Sequence, residues 1–306
     1  MTESSSPNPA ARPVIFGEVL FDRLPDGAVL GGAPFNVAWH LQGFGQRPLF
    51  VSRVGQDPEG DDVFVTMGDW GMDTAGLQRD PQRPTGAVQV RLSAGQPSFD
   101  ILPEQAYDYI DGTQAGAALS DEPLALLYLG TLANRGLVSR ETMQALRARA
   151  ALPTFVDINL RAPWWDDTIL DAALEGARWV KLNEDELSAV LHRRLEREDL
   201  AAAGEQLRAR RDLELLVVTL GSDGAWFLTP DGRRFGEPAA VDSLVDTVGA
   251  GDTFSAVTLL GLLRGWSLET TLPRALAFAA RICGQRGATA ANPELYQSFL
   301  ESWGDD

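Results

Sequence analysis

Asp246-Thr247-Val248-Gly249-Ala250-Gly251-Asp252-Thr253-Phe254 is the stretch on which the reading of this chain turns. Three small residues, Gly249-Ala250-Gly251, run straight into an apolar segment, Thr253 to Leu263, that reads as a buried helix. A glycine-rich turn that opens a helix points successive backbone N–H groups outward, with the positive end of the helix dipole behind them, and so holds an anion. Asp252 stands at the helix entrance. An anion site with a carboxylate beside it is what phosphoryl transfer to an alcohol needs: the N–H groups stabilise charge on the migrating group, and the carboxylate takes the proton from the attacking hydroxyl. The same aspartate also fits a plain helix cap. Two other phosphate motifs are excluded. There is no G-x-x-x-x-G-K-[ST]. Phe254 stands where G-x-G-x-x-G needs a third glycine, and the stretch lies near the C-terminus, whereas a dinucleotide fingerprint follows the first strand.

Outward from this loop, short apolar runs alternate with amphipathic stretches. Val14-Ile15-Phe16, Pro48 to Val51, Leu124 to Leu129, Thr154 to Val156, Trp179 to Leu182 and Leu215 to Val218 read as buried strands; Phe35 to Leu41, Arg140 to Ala150, Glu184 to Leu191 and Leu200 to Arg210 read as helices. The alternation predicts an α/β fold with βαβ units, a mostly parallel sheet and helices on both faces. Phe21 to Leu30 and Thr85 to Ile101 break the rhythm and predict a small antiparallel sheet beside the main one. Asn292-Pro293 opens a last short helix.

The 306 residues suffice for one large domain with a small appendage. A formal charge of -17 disfavours nucleic acid and anionic membrane surfaces as partners. The best apolar stretch, Phe254 to Leu263, is too short to span a bilayer. Met1 to Arg12, rich in Ser, Pro and Asn, reads as a disordered tail and not as a secretion signal. Cys283 is the only cysteine, which excludes an intrachain disulfide and fits a reducing, cytoplasmic setting; its apolar neighbours make it a packing residue. His40 and His192 have no partner pattern of a metal site or a triad.

Asp246 to Phe254 resembles the C-terminal signature of the ribokinase-like sugar kinases, the PfkB carbohydrate kinases. Four other segments resemble family elements in family order: Gly31 to Ala38, Arg53 to Gly60, Leu182-Asn183-Glu184-Asp185-Glu186 and Thr219 to Ala225. Together they span nearly the whole chain, roughly Val14 to Pro293. The resemblance implies a three-layer α/β/α kinase domain over residues 13–306, with a small β lid from about 19–31 and 85–110. It implies ATP and Mg²⁺, with Asp252 as catalytic base and Gly249, Ala250 and Gly251 as the anion hole. Asn183, Thr219, Gly221, Gly224 and Asn292 would line the nucleotide. Glu186 would reach Mg²⁺ through water, and Asp246 would lie near a monovalent cation such as K⁺. Asn183-x-x-Glu186 is equally a capping box, and Gly221 and Gly224 equally serve a turn.

On the sugar side, Asp22 follows the first strand, where α/β sheets place ligands. Gly32 permits close backbone approach, and Asn36 carries both donor and acceptor. Asp157-Ile158-Asn159-Leu160-Arg161 with Trp164-Trp165, Gly17-Glu18 and Leu129 to Ala133 resemble bacterial fructokinases, making fructose, phosphorylated on a primary hydroxyl, the expected substrate. Arg161 binds the sugar or a phosphate, or only pairs with an acidic neighbour; Phe99 walls the sugar or packs the lid. The family scaffold also serves 2-keto-3-deoxygluconate, nucleosides and aminoimidazole riboside, or a sugar-binding regulator that has lost catalysis. Open lid edges admit a homodimer.

Overall fold

The computed structural model describes residues 11–24, 27–93, 96–119, 122–239 and 244–304. The chain begins with β1 (Arg12–Phe16), β2 (Leu20–Leu24), β3 (Gly27–Gly31), α1 (Ala33–Gly43), β4 (Leu49–Gly55), α2 (Pro58–Asp69), β5 (Leu77–Asp80), β6 (Gly86–Ser93) and β7 (Gln96–Ile101). The middle holds α3 (Gly112–Ala118), β8 (Leu124–Leu129), α4 (Leu137–Ala150), β9 (Thr154–Asp157), α5 (Asp167–Leu174), β10 (Trp179–Asn183), α6 (Glu184–Val190) and α7 (Leu200–Arg210). Then come β11 (Leu215–Thr219), β12 (Ala225–Thr229), β13 (Gly232–Gly236), α8 (Ala250–Arg264), α9 (Leu268–Cys283) and α10 (Pro293–Trp303).

Among the described residues nine strands form the main sheet, in the order β13-β12-β11-β10-β9-β8-β1-β4-β5. β1 runs parallel to both neighbours, β4 and β8. The chain lays β4 and β5 on one side of β1, then returns to place β8 on the other and builds outward. The order therefore reverses between β1 and β8, and the carboxyl ends of the strands beside such a reversal are where an open α/β sheet binds ligands. Among the described strands of this sheet only β12 runs against the rest: it pairs antiparallel with both β11 and the edge strand β13.

The strand residues alternate between two cores, as a period of two demands. Ile15, Phe50, Tyr128, Phe155 and Val217 pack on one face, against α1, α2, α8, α9 and α10. Val14, Val51, Leu127, Val156 and Leu216 pack on the other, against α3 to α7. Both faces are thus covered, which explains the unbroken apolar runs, and the result is the expected three-layer α/β/α arrangement.

β3-β2-β6-β7 form a second sheet. The hairpins β2–β3 and β6–β7 are antiparallel, and β2 joins β6 in parallel. β6 and β7 fall within the second segment that broke the sequence rhythm, and β2 and β3 overrun the first by one residue at each end, Leu20 and Gly31. Of the expected tail, residues 1–10 lie outside the described residues. Arg12, placed in that tail by composition, instead opens β1: it is buried, and its guanidinium lies 2.8 Å from Asp73. Among the described residues no helix is long and apolar enough to cross a membrane.

Candidate active site

α8 starts beneath a left-handed turn. Gly249 has φ +78°, and a Cβ on it would stand 2.3 Å from the Ala288 Cβ, so only glycine fits. The first i to i−4 bond of the helix runs from the Thr253 N–H to the Gly249 carbonyl at 2.8 Å. The N–H groups of Gly251 and Asp252 precede it and have no acceptor within the helix. Among the described residues no side chain caps this end. Asp252 is therefore not the cap; its Oδ2 instead accepts a 2.7 Å hydrogen bond from the Asn36 amide on α1. Burial pushes its carboxyl above the ordinary aspartate range. The Asn36 bond pulls the other way, the Asp157 charge adds to the rise, and Lys181 and Arg161 oppose it.

Two cavities meet at this turn. One, of about 520 Å³, has an apolar wall from Phe254, Leu276, Ala279 and Cys283 facing Gly221 and Gly224. The other, of about 670 Å³, takes in Asp22, Gly32, Asn36, Arg161 and Asp252. Both are lined by Thr219, Gly221, Thr247 and Gly251, so they form one cleft with the glycine turn at its waist. Leu20, Val88 and Ile101 of the small sheet close the second cavity from above.

The sugar-side residues named from sequence are brought together here. Asp22, on β2, is raised above its ordinary value by burial, against the pull of Arg161. Gly32 has φ +110°, and a Cβ there would meet the Glu18 carbonyl at 2.8 Å. Arg161 is exposed at the rim. Phe99 lies on β7, and its side chain lies outside the described residues.

Asn183 and Glu186 line the same cavity, and they also form the capping box of α6: the Asn183 side chain accepts from the Glu186 N–H and Glu186 Oε2 from the Asn183 N–H, both at 2.8 Å. Glu186 Oε1 takes the Leu160 N–H at 2.8 Å. Burial raises its carboxyl, opposed by Lys181.

Lys181 was missed in the sequence. Its ammonium lies 3.0 Å from both oxygens of Asp157, and 2.9 Å from where a Cβ on Gly251 would stand. Burial works against its charge, and Asp157, Glu186 and Asp252 more than restore it. Asp157 also accepts from Ser255 at 2.7 Å. A fixed cation thus lies directly against the anion turn. Glu18 is the second omission: it lines the Asp252 cavity, and burial pushes its carboxyl up to about 7.

Asn292 lines neither cavity; its side chain accepts the Glu294 N–H at 3.0 Å and caps α10. Gly224 lines the first cavity, and glycine is required there by the β12–β13 hairpin, since a Cβ would stand 2.1 Å from the Gly236 carbonyl. Asp246 accepts the Val248 and Gly287 N–H groups at 3.0 and 3.1 Å, tying the approach to the turn to the segment after α9. Cys283 is half-buried in the wall of the first cavity. His40 is buried between the Ala288 carbonyl and the Tyr296 hydroxyl, at 2.9 and 3.0 Å, and burial lowers it to about 4, so it is neutral packing. His192 is exposed beside Asp167.

A profile for pfkB family carbohydrate kinases matches residues 27–295. The chain belongs to that family. The fructokinase of Escherichia coli is 30% identical over 295 residues, covering 92% of this chain and 94% of its own. Among solved structures, a fructokinase from Vibrio cholerae O395, bound to fructose, ADP and calcium, superimposes with a TM-score of 0.77 at 26% identity, over 96% of this chain and 100% of its own. An aminoimidazole riboside kinase from Salmonella enterica shares the fold, with a TM-score of 0.75 at 22% identity over 94% and 99% of the two chains. As a pfkB carbohydrate kinase, the protein is a phosphotransferase acting on an alcohol, and it uses ATP.

Proposed function

We propose that the protein transfers the γ-phosphoryl group of ATP to a primary hydroxyl of fructose. The observation that carries this reading is the position of Asp252, lining the second cavity directly after Gly251 at the waist, held by Asn36 and free of any capping duty. ATP takes the cavity with the apolar wall, its terminal phosphate at the glycine turn. The sugar takes the cavity of Asp22, Gly32 and Asn36. Asp252 accepts the proton of the sugar hydroxyl as that oxygen bonds to the γ-phosphorus. The bond from phosphorus to the bridging oxygen breaks, ADP leaves, and the proton passes from Asp252 to solvent. The outward N–H groups of the turn and the Lys181 ammonium offset the charge on the migrating group. Fructose is favoured over other sugars by the Asp157-to-Arg161 segment and by the identity to fructokinases over nearly the whole chain.

Magnesium fits this site as a companion of the nucleotide. Glu186 has both oxygens engaged by backbone N–H groups, and among the described residues no cluster of three His, Cys, Asp or Glu side chains can cage a metal. A cation that keeps water and phosphate ligands suits such a donor set. Glu186 would hold it through water, and its charge would neutralise the β- and γ-phosphates. Asp246 would stand near a monovalent cation.

The test is ADP release with ATP and Mg²⁺ across fructose, ribose, glucose, mannose, 2-keto-3-deoxygluconate, adenosine and aminoimidazole riboside. Turnover on fructose is expected, and Asp252→Asn should lose on the order of 10²–10⁴ of it, the usual contribution of a general base. Turnover only on another substrate discards fructose and keeps the mechanism. A variant that retains more than about a tenth of the rate removes Asp252 as the base.

A further inference from the structure

Among the sugar-side carboxyls, Glu18 has no assignment. It follows β1 at the point where the strand order reverses, is 3% exposed, and lines the cavity of Asp22, Asn36 and Asp252. Among the described residues its Oε2 has no hydrogen-bond partner, and neither has the Oδ1 of Asn36 in the same cavity. Buried acceptors without donors are rare and costly, and each asks for an explanation. A ligand that brings O–H donors supplies one. The charged groups facing Glu18 are Arg161 from the segment after β9, Arg135 from the segment before α4, and Asp252 from α8. Arg135 is held elsewhere through Nε and Nη2: Nε bonds Asp108 at 2.7 Å, Nη2 bonds the Tyr107 hydroxyl at 3.0 Å, and the guanidinium stacks over Trp164 at 4.3 Å; its Nη1 is buried and, among the described residues, bonds neither Glu18 nor any other group. The Glu18 backbone is fixed as well, because Gly32 packs against its carbonyl.

We infer that Glu18 is a specificity-determining residue, whose buried carboxyl accepts a hydrogen bond from one hydroxyl of a neutral sugar. The inference rests on the assignment of this cavity to the sugar. A site built to bond a substrate hydroxyl rejects the analogue that lacks it, because its own buried group is then left unpaired. The bond is stronger when the carboxyl is ionised. Burial holds Glu18 at about 7, so sugar affinity rises as pH climbs through neutrality, and binding releases a proton. Asp22 and Asp252 are also raised, but both remain in a Glu18 variant, so the step that disappears belongs to Glu18.

The experiment is calorimetry, without ATP, of fructose and its monodeoxy analogues binding to wild type, Glu18→Gln and Glu18→Met at about pH 6 and about pH 8. One analogue should bind wild type on the order of tenfold or more weakly than fructose. Glu18→Met should bind that analogue and fructose alike, while the other analogues keep their ratios. Glu18→Gln should lose the pH step and the proton release. Equal weakening toward every analogue, or no change toward any, makes the carboxyl structural and overturns the inference. If Glu18→Met does not fold, the pH step in Glu18→Gln decides. Wild type that ignores fructose but binds another neutral sugar discards fructose alone, and the deoxy series of that sugar decides Glu18. Wild type that binds no neutral sugar overturns both.

Discussion

At the residue scale, the buried charges of the site divide by whether a partner was built for them. Lys181 and Asp157 are a paired example, at 8% and 0% exposure. Lys181→Met leaves Asp157 buried with only hydroxyl partners, and breaking such a pair costs about 3–5 kcal/mol, whereas replacing both members is often near neutral. Urea unfolding should therefore show a large loss for the single variant and recovery of most of it in Lys181→Met/Asp157→Asn. Equal losses in the two would mean that the pair is not what Lys181 contributes. Glu18 is the unpaired example, and its sign follows from its raised value. The folded state holds its proton more tightly than the unfolded chain, so the stability this gives is full below about 4.5 and is lost as pH rises through about 7. Glu18→Gln should match wild type in melting temperature near pH 5 and exceed it near pH 8; a constant offset across pH would contradict this. Asp252 was legible in the sequence because its motif is local. Lys181 was read only as part of a strand and Glu18 only as part of the Gly17-Glu18 likeness, neither with a role, because their meaning lies in burial and in which atoms go unpaired, and neither property is written in neighbouring residues.

At the scale of elements, the turn into α8 is the most constrained piece of the site. Gly249 needs its φ of +78°, and Ala288 closes the space where a side chain would go. Gly221 also has a positive φ, +58°, but open space around it. Gly249→Ala should thus cost more than the roughly 1–2 kcal/mol expected of left-handed strain alone, while Gly221→Ala should cost about that much. Thermal unfolding checks the order, and Gly249→Ala should also lose turnover as the N–H groups turn away. If the two variants prove equally mild, the Ala288 contact yields and the turn is not rigid. The capping box at α6 was readable from Asn183-x-x-Glu186 alone, since a cap is set by residues three apart. The hairpin β12–β13 was not. Gly224 was named from sequence as a nucleotide-lining glycine, and it does line the first cavity; what the sequence could not show is the second demand on it, the approach of the Gly236 carbonyl.

At the scale of the molecule, the layers were legible because strands buried on both faces must be apolar throughout. The site was legible only as separate segments: Asn36 and Asp252 are 216 positions apart, and the topology that joins them is set by packing. The small sheet is where whole-molecule behaviour should appear. It is four strands wide, with β3 and β7 as its edges, and β3 is largely exposed. The bidentate pair of Arg23 on β2 with Glu59 on α2, at 3.0 and 2.6 Å, ties it to the main body. An exposed edge strand such as β3 belongs to the low-stability end of a fold, where local opening is cheap. Leu20, Val88 and Ile101 line the second cavity from this sheet, so a sugar bound there, as proposed, would add contacts that the free protein lacks. Native-state hydrogen exchange should therefore show β2, β3, β6 and β7 slowed by sugar and little affected by ATP alone. ATP alone should slow the start of α8 and the turn between β11 and β12, which border the other cavity. Equal slowing of the small sheet by either ligand would mean that it responds to the whole cleft closing, and the division of the cleft into a sugar half and a nucleotide half would fall with it.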